Sequence, residues 1–321
     1  MYAFNTYSTL YTELQNISSL SNTDSNNLLI IAHYVENRHV LTLRESILYY
    51  QNQTYRGKVD KIVNDNSLQL YVYLRNCNGI IDVGALGILH GLTLSELCIT
   101  DLSVLANVHT LDLSYCQGIT DISALKSVHT LSLSHCQGLK DVSALKSVHT
   151  LDLSHCRGIT DVSMLGNVHT LNLSNTRIKD VSALGNVHTL DLSYCNNIKD
   201  VSALKYVHTL SLSRCQGVKD VSALGNVHTL DLSYCPGVTD VSALGNVHTL
   251  DLSCCQGVKD VSSLGKVKIL NLQGCQGVKD VSALGNVHTL NLRYCQGITD
   301  VSSLDEVDTL VLDGCNNIIE T

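Results

Sequence analysis

One twenty-residue sentence recurs along this chain. Gly225–Leu244 reads GNVHTLDLSYCPGVTDVSAL, residues 107–126 read NVHTLDLSYCQGITDISALK, and residues 285–304 read GNVHTLNLRYCQGITDVSSL. With the first Leu of each L-x-L as register, units start at Val72, Leu92, Leu111, Leu131, Leu151, Leu171, Leu190, Leu210, Leu230, Leu250, Leu270, Leu290 and Leu310. These thirteen starts are 20 residues apart, or 19 in the units beginning at Leu92 and Leu171, which lack the Gly of the C-x-G turn. A unit this short cannot enclose a core of its own. Its aliphatic side chains must be dried by the units on either side, so the fold is a stack.

Within a unit the pattern is L-x-L-S-x-C-x-G-[IVL]-[TK]-D-[VI]-S-x-L-x-x-V-x-T. Alternation across T-L-D-L-S has period two, which predicts a short strand with both Leu inward and Thr, Asp and Ser outward. The Asp of D-V-S sits where a helical turn would begin, its carboxylate placed to accept backbone N–H bonds from that turn. So short a unit has no room for a strand plus a long helix, and a 3-10 turn or single α turn is expected as the return. Parallel strands about 4.8 Å apart would build an array on the order of 60 Å long.

The L-x-L-x-x-C/N-x-x-I signature, held in register from about Gln69 to Thr321, resembles the leucine-rich repeat family. The I-T-D-V-S-A-L segment looks most like its internalin-type or SDS22-like subclass. The near-identity of the units is similar to repeat proteins of large DNA viruses of amoebae. The resemblance implies an α/β solenoid, gently curved, with parallel strands on a concave face and short 3-10 or α turns on the convex side. It also implies that Cys77, Cys116, Cys136, Cys156, Cys195, Cys215, Cys235, Cys255, Cys275, Cys295 and Cys315 turn inward and hydrogen-bond the backbone of neighbouring coils. A thiol is small, apolar and a weak donor, which suits a buried ladder. Parallel stacking keeps the Cβ vectors side by side, against disulfides, and ligands recurring once per unit do not converge as zinc requires. No metal or other cofactor is expected. Reduced thiols point to the cytoplasm or nucleus.

Composition narrows the function classes. Lys and Arg number 21 against 29 Asp and Glu, a formal charge of −8 with no basic stripe, which argues against nucleic-acid binding. No apolar run reaches the roughly 18–20 residues of a membrane helix. The start MYAFNTYSTLYTEL lacks a basic segment followed by an apolar one, so a soluble, cytoplasmic protein is expected, without membrane partners.

A His column runs through His90, His109, His129, His149, His169, His188, His208, His228, His248 and His288, interrupted by Lys268. It reads as a stack of rings at the strand entrance with one hydrogen bond per coil. Catalysis needs an asymmetric constellation, which near-identical coils do not supply, so no catalytic residue is assigned. Rings about 4.8 Å apart do not all charge cheaply, so their folded-state pKa should lie below the unfolded one. The repeated Asp (Asp121, Asp141, Asp161, Asp180, Asp200, Asp220, Asp240, Asp260, Asp280, Asp300) reads as a cap. The Gly of G-x-x-D reads as supplying a turn conformation.

Function is expected where the units differ. The outward residue of L-x-L includes Asp112, Asp152, Asp191, Asp231 and Asp251. The residue before the Cys runs Tyr115, His135, His155, Asn175, Tyr194, Arg214, Tyr234, Cys254, Gly274, Tyr294. That second column has the aromatic and Arg enrichment of binding anchors. Both columns are expected to line the strand face and meet a protein partner, with the Asp residues favouring positive charge on it. In the final unit Asp305, Glu306, Asp308 and Asp313 replace the usual residues; this acidic cap resists stacking by another molecule, and a monomer is expected.

Residues 1–68 lack the repeat. Leu10, Leu14, Ile17 and Leu20 fall at helical spacing, SNTDSNN is a polar break, and LLIIAHYV and VLTLRESILYY read as two further helices. Together with Glu13, Asp24 and Leu28 the order resembles an F-box, the helical module that docks onto the Skp1-type adaptor of a ubiquitin ligase; Tyr11 stands where that family usually has Pro. The resemblance implies adaptor binding by Leu10, Glu13, Leu14, Ile17 and Leu20, with the repeats choosing a substrate. The other reading is a helical N-cap over the first coil. The chain is thus expected to be a helical module, 1–68, on a solenoid, 69–321, acting as a non-enzymatic interaction protein.

Overall fold

The computed structural model describes residues 38–41, 46, 49, 51–65, 69–74, 86 and 89–319. Among these residues fourteen strands form one parallel sheet in unbroken chain order. Strand β1 is Arg38–Val40; helix α1, Gln53–Asp65, returns to β2, Gln69–Tyr73; β3 is Gly91–Thr93 and β4 Thr110–Asp112. One three-residue strand per coil follows, to β14 at Thr309–Val311. The repeat sets the register: Leu111 lies on Leu131, which lies on Leu151.

Each coil turns for reasons visible in its sequence. Asp121 Oδ1 accepts the Ser123 N–H at 2.9 Å, and the same bond recurs in every coil from Asp101 to Asp300. That bond opens a tight 3-10 turn such as Ser143–Leu145, as the unit length demands. It also stabilises the ionised carboxylate, holding Asp121 and its counterparts below the usual carboxylate range. Inside, Leu111, Leu113, Cys116, Ile119, Ile122, Leu125 and Val128 are each exposed by 2% or less, and the coils from Leu131 to Leu270 bury the equivalent positions. Full burial of such side chains contributes about 1.5–3 kcal/mol each.

The thiols occupy this interior as a ladder. Cys116 Sγ donates to the Leu94 carbonyl at 3.1 Å, Cys136 to Leu113 at 3.2 Å, and Cys215 to Leu192 at 3.1 Å, always one coil back. In the short unit Thr176 fills the slot and donates to Leu173 within its own coil at 2.7 Å. Leu97 fills it in the other short unit, leaving Cys98 exposed beside it. All cysteines among the described residues are free. Burial pushes the Cys116 thiol up to about 11 and Cys136 and Cys156 to about 12, so these thiols stay protonated near neutrality.

Two expectations change. Arg38–Val40, placed by sequence in the helical N-terminal part, is a strand that pairs with β2, with Leu41 N–H donating to the Tyr71 carbonyl at 3.0 Å. Leu41, Tyr49 and Val59 join the same core cluster as Leu70 and Val72, and Tyr49 donates to Asp60 Oδ1 at 2.6 Å. The physical reason is edge protection: a bare first coil would expose a row of unpaired backbone groups. The second change concerns glycine. At Gly158 the backbone is not left-handed; a Cβ there would lie 2.3 Å from the Leu139 carbonyl oxygen of the preceding coil. This Gly permits close coil approach, and the left-handed conformation belongs elsewhere.

The acidic last unit is partly neutralised by the coil before it. Asp308 pairs with His288, and Arg293 with Asp313 at 3.0 Å.

Candidate functional site

The strand face lies between two rims. At the strand entrance nine imidazoles, His90 to His248, stack with centroids 4.5–4.6 Å apart and planes within 9–14°. From His109 to His248 each Nδ1 lies 3.2–3.3 Å from the hydroxyl of the following Thr. The stacked rim follows the sequence expectation. Desolvation first, and the neighbouring rings second, lower the pKa of His149 and His208.

At the strand exit the chain must change direction within two residues. Asp112 Oδ1 accepts the Ser114 N–H at 2.9 Å, and Asp152, Asp191, Asp231 and Asp251 do the same for their Ser at 2.7–2.8 Å. The next residue is left-handed: Tyr115, His135, His155, Asn175, Tyr194, Arg214, Tyr234, Cys254 and Tyr294 have φ between 57° and 63°. Its N–H then pairs with the following coil, as Tyr115 does with the Ser134 carbonyl at 2.8 Å. The anchor column therefore lies at the exit turn, beside the strand face and not on it. The Asp column stays half-buried on the strands with one carboxylate oxygen engaged by the turn; Oδ2 of Asp231 also accepts from Ser211 Oγ at 3.2 Å and that of Asp251 from Asn271 Nδ2 at 2.8 Å.

The exit rim is itself stacked. Tyr115, His135 and His155 lie face to face at 4.2 and 4.0 Å, and His155 Nδ1 meets Asn175 Nδ2 at 2.9 Å. Burial, then the charge of His155, lowers the pKa of His135. Farther along, the Arg214 guanidinium sits 5.4 Å from the Tyr194 ring and 4.0 Å from Tyr234. Arg293 lies over Tyr294 at 5.7 Å. With their faces covered by neighbours, the rings turn edges outward, and Tyr115, Tyr194, Tyr234 and Tyr294 remain 42–51% exposed. The rim offers hydroxyls, ring nitrogens and a guanidinium.

Near its beginning the strand face is hollowed. A cavity of about 240 Å³ is lined by Tyr71, Tyr73, Thr93, Asp112, Ser132 and Asp152, among others. Sequence reasoning missed Tyr71 and Tyr73; the alternation of Tyr about Val72 is the signal that could have found them. Leu10, Glu13, Leu14, Ile17, Leu20 and Cys77 lie outside the described residues. Among the described residues no three His, Cys, Asp or Glu side chains are grouped to hold a metal, and no helix is long and apolar enough to cross a membrane.

Comparison with known proteins bears on this geometry. A family model described as Leucine Rich repeats (2 copies) matches residues 166–206, and one described as Leucine Rich repeat matches 104–126 and 144–165. No curated protein sequence matches the chain. Among solved structures, an internalin (InlF) of Listeria monocytogenes is similar at a TM-score of 0.60 and 20% identity, covering 78% of this chain and 85% of that one. The functional domain of InlJ from the same organism, said to include a cysteine ladder, is similar at a TM-score of 0.50 and 23% identity, covering 77% of this chain and 63% of that one. At such identities the likeness is one of fold. With its matched repeats, its single parallel strand per coil and its column of inward thiols, this chain folds as a leucine-rich-repeat solenoid.

Proposed function

We propose that the protein is a non-enzymatic scaffold that holds a protein partner against its strand face and exit rim. One observation carries this. A left-handed turn favours Gly or Asn, and Gly274 and Gly314 occupy it without penalty, yet most coils place Tyr, His or Arg there. An L side chain in that conformation costs about 1–2 kcal/mol, a strain typical of functional positions. Changing Tyr115, Tyr194 and Tyr234 together to Ser is expected to abolish capture of the partner identified by affinity purification and mass spectrometry, with melting unchanged. Undiminished capture of that partner would end the reading.

The finer version makes the scaffold a substrate adaptor of a ubiquitin ligase, through Leu10, Glu13, Leu14, Ile17 and Leu20 and a Skp1-type adaptor. It is supported by the F-box resemblance alone. The strand at Arg38–Val40 favours the alternative, a stand-alone solenoid whose N-terminal part closes the first coil. Full-length chain is expected to retain a Skp1-type adaptor at micromolar concentration, and a Leu10→Asp/Leu14→Asp variant to lose it. No retention by the unmodified chain leaves the stand-alone reading. Because the ladder donates S–H bonds, reduced thiols support a cytoplasmic setting, in a host cell if the viral likeness of the repeats holds.

A further inference from the structure

From Asp112 to Asp231 the strand column alternates, while the exit column carries a ring in both kinds of coil, as His135 beside Ser132 shows. Coils with Asp112, Asp152, Asp191 and Asp231 on the strand carry Tyr115, His155, Tyr194 and Tyr234 at the exit turn. The coils between them pair Ser132 with His135, Asn172 with Asn175, and Ser211 with Arg214. A carboxylate with a ring beside it therefore recurs on every second coil.

The fold does not require that alternation. Ser154 N–H donates to Asp152 Oδ1 at 2.8 Å, Ser174 N–H to Asn172 Oδ1 at 2.9 Å, and Ser213 N–H to Ser211 Oγ at 3.4 Å, so all three residue types make the turn. Repulsion between adjacent carboxylates does not impose it either. Asp231 and Asp251 stand on neighbouring strands in direct register, and the 3-10 turns carry an Asp in every coil from Asp101 to Asp300.

A period of two coils is a length. At the 4.6 Å separation of the stacked His rings, two coils span about 9.2 Å. A ligand matched to it presents a cation at that interval along an extended chain. A β-strand returns to one face about every 6.8 Å and so meets Asp112 and Asp231 but misses Asp152 and Asp191 by about 2 Å. An α-helix repeats at about 5.4 Å per turn. A polyproline II helix repeats every third residue, about 9.3 Å, and stays in step throughout. Its backbone carbonyls have no internal partners, and the exposed Tyr115, Tyr194 and Tyr234 at the exit rim bring hydroxyl donors to the edge of the strand face.

We propose that the strand face from Asp112 to Asp231 is a docking groove for a basic polyproline II segment bearing Arg or Lys at every third residue. The proposal rests on the reading of the strand face as the binding surface and names its partner's chemistry.

Fluorescence anisotropy on the full chain tests it with two labelled peptides. One has five repeats of arginine-proline-proline; the other has the same composition with its arginines in one block. The periodic peptide is expected to bind about tenfold more tightly, and Asp152→Asn/Asp191→Asn to lose about tenfold. Asn keeps the turn, as Asn172 shows, so melting should not move. Equal affinity for the two peptides overturns the period match, and no submillimolar binding of either, or undiminished binding by the variant, overturns the groove. The broader reading is decided separately, by capture with the Tyr-to-Ser variant.

Discussion

Tyr115 and Cys116 are consecutive residues with opposite surroundings. The thiol is fully buried and bonded one coil back, while the phenol is 43% exposed on a strained backbone. Their columns differ in the same way along the molecule. The inner slot holds Cys, Thr or Leu, all small or apolar; the outer one holds Tyr, His, Arg, Asn, Glu, Cys or Gly. A single peptide bond separates a position governed by packing from one open to recognition. Identity among coils therefore says nothing against function, because the same turn that fixes one residue frees its neighbour.

The largest test of that contrast is alkaline. Burial raises the ladder thiols from an ordinary 9.0, with Cys116 at about 11 and Cys255 at about 12. A folded pKa above the unfolded one gives stability that is full below pH 9 and lost as pH rises toward the folded value. Each such thiol removes about 1.4 kcal/mol per pH unit in that window. Circular dichroism should show unfolding between about pH 9 and 11; a fold intact at pH 11 would mean that the thiols ionise in place.

Next comes the ladder bond itself. Cys215→Ala removes the S–H donor from the Leu192 carbonyl, which keeps the Cys195 N–H at 3.1 Å, and should cost about 1 kcal/mol in urea unfolding. Cys215→Thr should cost less, since Thr176 already occupies the slot two coils before. The outer column should respond to backbone shape. Tyr234→Val, β-branched in a left-handed turn, is expected to cost about 1–2 kcal/mol, whereas Tyr234→Asn should stay within about 0.5 kcal/mol. Equal costs would mean that the Tyr234 side chain, and not the turn, sets stability there.

The smallest effect belongs to the entrance rim. His149 and His208 have lowered pKa values, so the unfolded chain takes up protons first and stability declines as pH falls through about 6.5. The urea midpoint should be lower at pH 5.5 than at 7.5; identical midpoints would show that the stacked rings share charge without cost.

The register of Leu111, Leu131 and Leu151, the inward thiols and the stacked His rings were legible in the repeat, because period two and period twenty are properties of the string. The exit turn was not. Position 115 is left-handed because Asp112 holds the Ser114 N–H and Ser134, in the next coil, receives the Tyr115 N–H. Gly158 likewise reads as a turn residue in the sequence, and the Leu139 carbonyl that presses on it belongs to the coil before. Arg38–Val40 carries no repeat signature, and only its pairing with β2 identifies it as strand.

By itself the sequence determined that the chain is a stack, which side chains face its interior, and which columns vary. Tertiary structure decided the handedness of each exit turn, the closeness of successive coils and how the first edge is covered. Side-chain alternation is encoded residue by residue, whereas those three features are set by hydrogen bonds and contacts between groups a full coil apart.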